Sequence, residues 1–122
     1  MDIALWIAQV LLAVGFVAAG VNHYRGDDRG QAGMAWMRAL PAWQLKTIGV
    51  LEVLGAVGLI LPAVTRTAPW LVWLAAGCLA LLMASAIIFH VARREWVSIV
   101  ANAVLGAVAA FVFIGRLALD PF

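Results

Sequence analysis

Charge is what this sequence most lacks. Only 11% of its 122 residues are Asp, Glu, Lys or Arg, against about 25% in an ordinary soluble domain. Hydrophobic residues make up 66% and mean hydropathy is +1.06, which excludes a soluble globular domain and points to the membrane class. Cys78 is the only cysteine. An internal disulfide is therefore impossible, and thiol-shuttling chemistry, which needs a CxxC or an equivalent pair, is excluded. Cys78 sits among Ala76, Gly77 and Ala80 and reads as a small packing residue. No basic cluster is interleaved with polar loop, so nucleic acid is not an expected partner. Only two histidines occur, outside any HxxxH or CxxCH spacing, so no metal, haem or other cofactor is evident. No polar linker divides the chain, and residues 1–122 read as one domain.

What is present is four long apolar runs, at about 3–21, 47–64, 70–91 and 97–115. Each approaches the roughly 20 residues that cross a bilayer's hydrocarbon as a helix. Helix is the required form, because a span must satisfy its own backbone in lipid. The expected fold is an all-α, integral membrane four-helix bundle. The first run has Asp2 as its only flanking charge and reads as a retained span, not a signal peptide. "NHYRGDDRG" (22–30), "PAVTRTAP" (62–69) and "ARRE" (92–95) separate the spans. Between the first two, "GMAWMRALPAW" (33–43) places Met34, Met37 and Leu40 at helical spacing. It predicts, over about 31–45, a short interfacial helix or a cap over the bundle, with a packed surface loop as the alternative.

Four spans bring both termini to one side. The first and third connections hold Arg25, Arg29, Arg38, Lys46, Arg93 and Arg94, and the other side holds Arg66 and Arg116. The positive-inside rule then predicts cytoplasmic connections and external termini. Trp6, Trp70 and Trp73 fall near one interface and Trp36, Trp43 and Trp96 near the other, as aromatic belts do.

Helices in lipid associate through close backbone approach and polar contacts. Ala76, Ala80 and Ala84, Gly106 and Ala110, and Gly49, Gly55, Ala56 and Gly58 mark the expected contact faces, with Ala13, Gly15, Ala19 and Gly20 on the first span. Glu52 shares its face with Gly49, Gly55 and Ala56. An ionisable residue at mid-span costs about 2.5–3.5 kcal/mol on insertion scales and so faces a partner or a wet cavity. Glu52 and Asn102 each lie five residues into their spans from the same side, and His23, Asn22 and His90 lie at that end of the first and third spans. These groups are expected to converge, with Trp43 and Trp96 at the rim. Gln9 lies toward the opposite end and reads as an interhelical hydrogen-bonding residue.

Two roles for Glu52 stay open at this level. It hydrogen-bonds Asn102 as structural glue, or it carries a proton in a cavity, with His23 or His90 as relay and all three as candidate catalytic residues.

Several stretches together resemble the DoxX-like family of small bacterial membrane proteins: "FVAAGVNHY", "IGVLEVLGAVGLILP", "APW" and "FHVARREWVSIVANAVLGAVAAFVFIGR". The resemblance covers nearly the whole chain, and the glutamate–glycine run of the second span is its most specific part. Many relatives carry a lysine near the end of the first span, where this chain has "NHYR". The resemblance implies a four-helix bundle in the bacterial inner membrane and an association with membrane redox systems, and it transfers no catalytic residue. The expected function is to bind a lipophilic small molecule, quinone or isoprenoid-like, as a module serving a membrane enzyme or as a homodimer. A stand-alone enzyme using Glu52 as general acid and a small proton-coupled transporter are the alternatives.

Overall fold

The computed structural model describes residues 1–26 and 35–122. Four helices form: α1 (Asp2–Arg25), α2 (Ala42–Thr65), α3 (Leu71–Ala92) and α4 (Trp96–Ile114). A 3₁₀ turn, η1 (Ala35–Ala39), precedes α2, and a π-helical turn, Gly115–Leu119, continues α4. All four helices are long and apolar enough to cross a membrane.

Beyond α1, which runs on from the expected residue 21 to Arg25, the boundaries differ from the sequence expectation in three places. First, α2 begins at Ala42, five residues early, because Pro41 (φ −58°) supplies a backbone angle suited to a helix start. This absorbs the last part of the expected 31–45 segment; of the remainder, residues 31–34 lie outside the described residues. Second, α2 runs through Pro62 to Thr65 before the chain turns at Arg66 and Ala68, both with positive φ. Third, α4 widens into the π turn instead of ending near residue 115.

The bundle is two antiparallel hairpins. α1 packs most extensively on α2, and α3 on α4. Small residues set these seams. A Cβ added to Gly20 would stand 2.7 Å from the Gly49 carbonyl oxygen, and one added to Gly49 would stand 2.5 Å from that of Gly20. In the second hairpin, Cβ atoms at Gly77 and Gly106 would meet Phe113 and Met83 at 3.0 and 3.1 Å. The hairpins join each other mainly near the end that carries the termini, called here the terminal end. There Gly115 lies against Leu5, Gly55 against Leu79 and Gly58 against Ala75. The main core follows the same distribution, with Leu5, Leu12, Phe16, Leu59, Val72, Leu79 and Val112 fully buried.

A buried polar network reinforces that end. Arg116 is only 2% exposed. Its Nε donates to Gln9 Oε1 (2.8 Å), and its Nη1 donates to Asp2 Oδ1 (2.7 Å) and to the Asp120 carbonyl (3.1 Å). Gln9 Nε2 donates in turn to the Leu59 carbonyl of α2 (2.7 Å). The π turn aims Arg116 inward, so a residue expected at the aqueous boundary instead ties α4, α1 and α2 together. Two packing expectations also change. Cys78 and Ala84 are exposed, because both lie on the outer side of α3.

Candidate functional site

At the other end, which carries the α1–α2 and α3–α4 connections and is called here the loop end, the four helices surround a cavity of about 330 Å³. Each contributes a polar side chain to the lining: His23 from α1, Glu52 from α2, His90 from α3 and Asn102 from α4. The remaining wall is mainly apolar, with Leu40, Ile48, Leu82, Met83 and Leu105 among its residues.

Glu52 is 1% exposed. Its Oε1 lies 2.5 Å from His23 Nδ1, and the His23 side chain is itself 13% exposed. Backbone direction explains how they meet. The Cα–Cβ bond in a helix tilts toward the helix N-terminus, and α1 and α2 run antiparallel. His23 therefore leans back along α1 while Glu52 leans back along α2, and the two converge. The Gly20–Gly49 contact brings the backbones close enough for the side chains to touch. Asn102 lines the cavity, but among the described residues no hydrogen bond joins it to Glu52. The glutamate's partner within the described set is His23.

His90 is buried and held from the other side. Its carbonyl accepts the backbone N–H groups of Arg93 and Glu95. Arg94, at φ 57°, turns the chain so that Glu95 comes back beneath the helix end. Glu95 Oε1 then lies 3.0 Å from His90 Nδ1 and accepts Arg93 Nε at 2.9 Å. Trp36 joins the two histidine–carboxylate pairs. Its ring packs edge-on against His23 (5.2 Å between centroids), His90 (5.1 Å) and Phe89 (6.1 Å). It is buried with Met37 and Leu45 in a small cluster that also includes Leu40 and Phe89, and so closes the loop end of the cavity.

The sequence-derived set divides on this geometry. Glu52, His23, His90 and Asn102 meet at one cavity, and Asn22 does not line it. Trp43 and Trp96 do not line it either. They are 67% and 65% exposed, in the first turns of α2 and α4, where they face outward. Sequence reasoning placed Trp36 near the membrane interface, in a segment read as an interfacial helix or a cap over the bundle, and did not name it as a cavity residue. The apolar spacing of Met37 and Leu40 around it was the available signal. Gln44 and Ser85 also line the cavity, and no sequence pattern marked them.

Chemically, the arrangement offers carboxyl, imidazole and amide groups at the base of an apolar chamber closed by an indole. That suits a compact polar head on a lipophilic molecule. Among the described residues, no group of three His, Cys, Asp or Glu side chains is placed to hold a metal ion.

No curated protein and no solved structure matches the chain significantly. The sequence model of the DoxX-like family matches residues 7–112. That span covers most or all of every helix that lines the cavity and all four of its convergent polar residues. With four apolar helices of spanning length, the chain is an integral, multi-pass membrane protein, and it belongs to the DoxX-like family.

Proposed function

We propose that the chain binds a lipophilic small molecule, quinone or isoprenoid-like, in the Glu52 cavity, as a module of a membrane redox or biosynthetic system. One observation carries the reading: a buried carboxyl group, hydrogen-bonded to an imidazole, on the wall of an otherwise largely apolar cavity. An intramembrane ionisable residue usually faces a partner or a cavity, and Glu52 has His23 as partner and a cavity beside it. The volume sits at the small end of the roughly 300–1,000 Å³ range of ligand pockets, which fits a head group and not a whole lipid. The charge bias of the connections puts the loop end on the cytoplasmic side of the inner membrane, with both termini outside. A membrane enzyme partner or a second copy completes the system.

The test is mass spectrometry of lipids that co-purify with the wild-type protein and with Glu52→Gln. The substitution keeps shape and removes the acid. A species enriched with the wild type and depleted with the variant supports the reading; identical lipid profiles refute it.

The Glu52–His23 contact favours a second reading, in which the cavity is catalytic. Glu52 would pass its proton to a carbonyl or alkene of the bound molecule, and His23 would return one to the carboxylate. Glu52→Gln would then keep its ligand and lose turnover, which separates this reading from simple binding.

A further inference from the structure

The head-group cavity is too small for a long lipophilic molecule, so the rest of such a ligand must lie elsewhere. A second hollow supplies the place. A groove of about 550 Å³ runs between α2 and α3 toward the terminal end. It shares Leu82 with the cavity. On α2 it begins at Leu51, beside Glu52, and reaches Pro62; on α3 it ends at Leu71.

The cavity opens toward this seam. Ser85 lines the cavity and is also exposed, one turn from Leu82 on α3. The groove owes its depth to missing side chains. Gly55 and Gly58 form its α2 side, and a Cβ at Gly58 would stand 2.8 Å from Ala75 Cβ. The backbones therefore meet at the floor, while exposed Leu54, Leu61 and Leu74 form the walls. The ten residues from Glu52 to Pro62 rise about 15 Å at 1.5 Å each, half of a hydrocarbon core of about 30 Å.

We infer that the α2–α3 groove is the tail subsite of the Glu52 cavity, so that the ligand is a single-chain amphiphile whose head passes Leu82 and whose one apolar tail lies along the groove. This rests on the proposed ligand-binding reading. A two-chain phospholipid fits poorly, since the groove takes one chain and the chamber takes only a compact head.

The probe is a farnesyl benzoquinone with a diazirine at the tail end, irradiated with the protein in phosphatidylcholine nanodiscs. Adducts are mapped by peptide mass spectrometry. They are expected on α2 between Leu54 and Pro62 and on α3 between Leu71 and Cys78. Cys78→Trp and Leu54→Trp fill the groove from exposed positions and leave the core untouched. Each should lower groove adducts at least about tenfold, while Val100→Trp, exposed on α4 outside both hollows, should not. Adducts spread over all exposed lipid-facing helices, or groove adducts unchanged in both tryptophan variants, overturn the inference. Groove adducts that persist undiminished in Glu52→Gln also overturn it, since the groove then holds chains without reference to the head. Retention of the dimethylallyl counterpart, which has almost no tail, tests the head site alone. If that retention depends on Glu52 while farnesyl adducts are spread, the tail subsite fails and the binding reading stands. If it is indifferent to Glu52, the binding reading itself fails.

Discussion

The Glu52–His23 pair makes the strongest quantitative demand on the structure. A double-mutant cycle of Glu52→Leu and His23→Leu isolates its coupling, read from reversible unfolding in mixed detergent, with Glu52→Gln as a third variant. Interhelical polar pairs in membrane proteins average about 0.6 kcal/mol by such cycles, with a maximum near 1.7. Three features place this pair toward the upper end. The heavy atoms are 2.5 Å apart. The glutamate side chain is 2% exposed and the histidine 13%, so water competes weakly. The carboxyl–imidazole hydrogen bond forms whichever of the two groups holds the proton. The expected coupling is therefore about 1–2 kcal/mol. A value below about 0.3 kcal/mol, well under that membrane-protein average, would refute the claim that α1 delivers His23 to Glu52. The same variants separate stability from binding. Glu52→Gln preserves an oxygen acceptor, so its unfolding cost should be smaller than that of Glu52→Leu, which leaves the imidazole without its partner. Ligand retention should fall in both.

Other outcomes follow from the packing. Gly20→Val places a side chain against the Gly49 carbonyl and should destabilise the fold by about 1–3 kcal/mol, the usual cost of overpacking, seen as a lower melting temperature in detergent. Gln9→Leu strands Arg116 Nε and removes the Gln9–Leu59 tie between α1 and α2; with about 1–3 kcal/mol for a buried unsatisfied group, thermal unfolding should shift by a comparable amount. Trp36→Ala opens the loop end of the cavity and should reduce retention of the co-purified lipid more than Trp43→Ala or Trp96→Ala, whose rings face outward. Exposed substitutions of that kind usually stay within about 0.5 kcal/mol. A reporter that is active only in the cytoplasm, fused after Phe122, should stay silent.

Sequence patterning carried the fold because the membrane leaves few choices. Four apolar runs in lipid must be helices, and small residues must mark their seams. Glu52 and Asn102 could be set at one depth by counting from the ends of their spans, and Gly49, Gly55 and Ala56 identified the face that Glu52 shares. What stayed hidden depends on tertiary direction. That His23 and not Asn102 meets Glu52 follows from opposed Cβ tilts across an antiparallel pair, which depth alone does not encode. Trp36 was grouped with the interfacial tryptophans, and "AWMRAL" alone leaves open whether its segment lies in the interface or caps the bundle. Arg116 entered the sequence analysis as a flanking charge. Its burial depends on a π turn that shifts the register of the last helical turn, and no residue in "GRLAL" announces one.

The two ends of the bundle are coupled through this distribution of contacts. Between the hairpins, the Gly115–Leu5, Gly55–Leu79 and Gly58–Ala75 approaches and the Arg116–Gln9–Leu59 chain lie toward the terminal end. Within the hairpins, Gly20–Gly49 holds α1 to α2, and Gly106–Met83 holds α3 to α4. Two stiff pairs pinned at one end separate at the other unless side chains fill the gap, and at the loop end that gap is the Glu52 chamber, closed by Trp36. In lipid, helices gain little from excluding apolar surface and gain mainly from close contact. A chamber at the loop end therefore forfeits packing that larger side chains at Ala19, Ala86 or Ala101, all in its lining, would restore. Those positions instead hold alanine around a buried carboxyl group. Polar glue would require only that Glu52 find a partner, and His23 already provides one. On the proposed binding reading, the chamber beside that pair is the space that the ligand's head group takes.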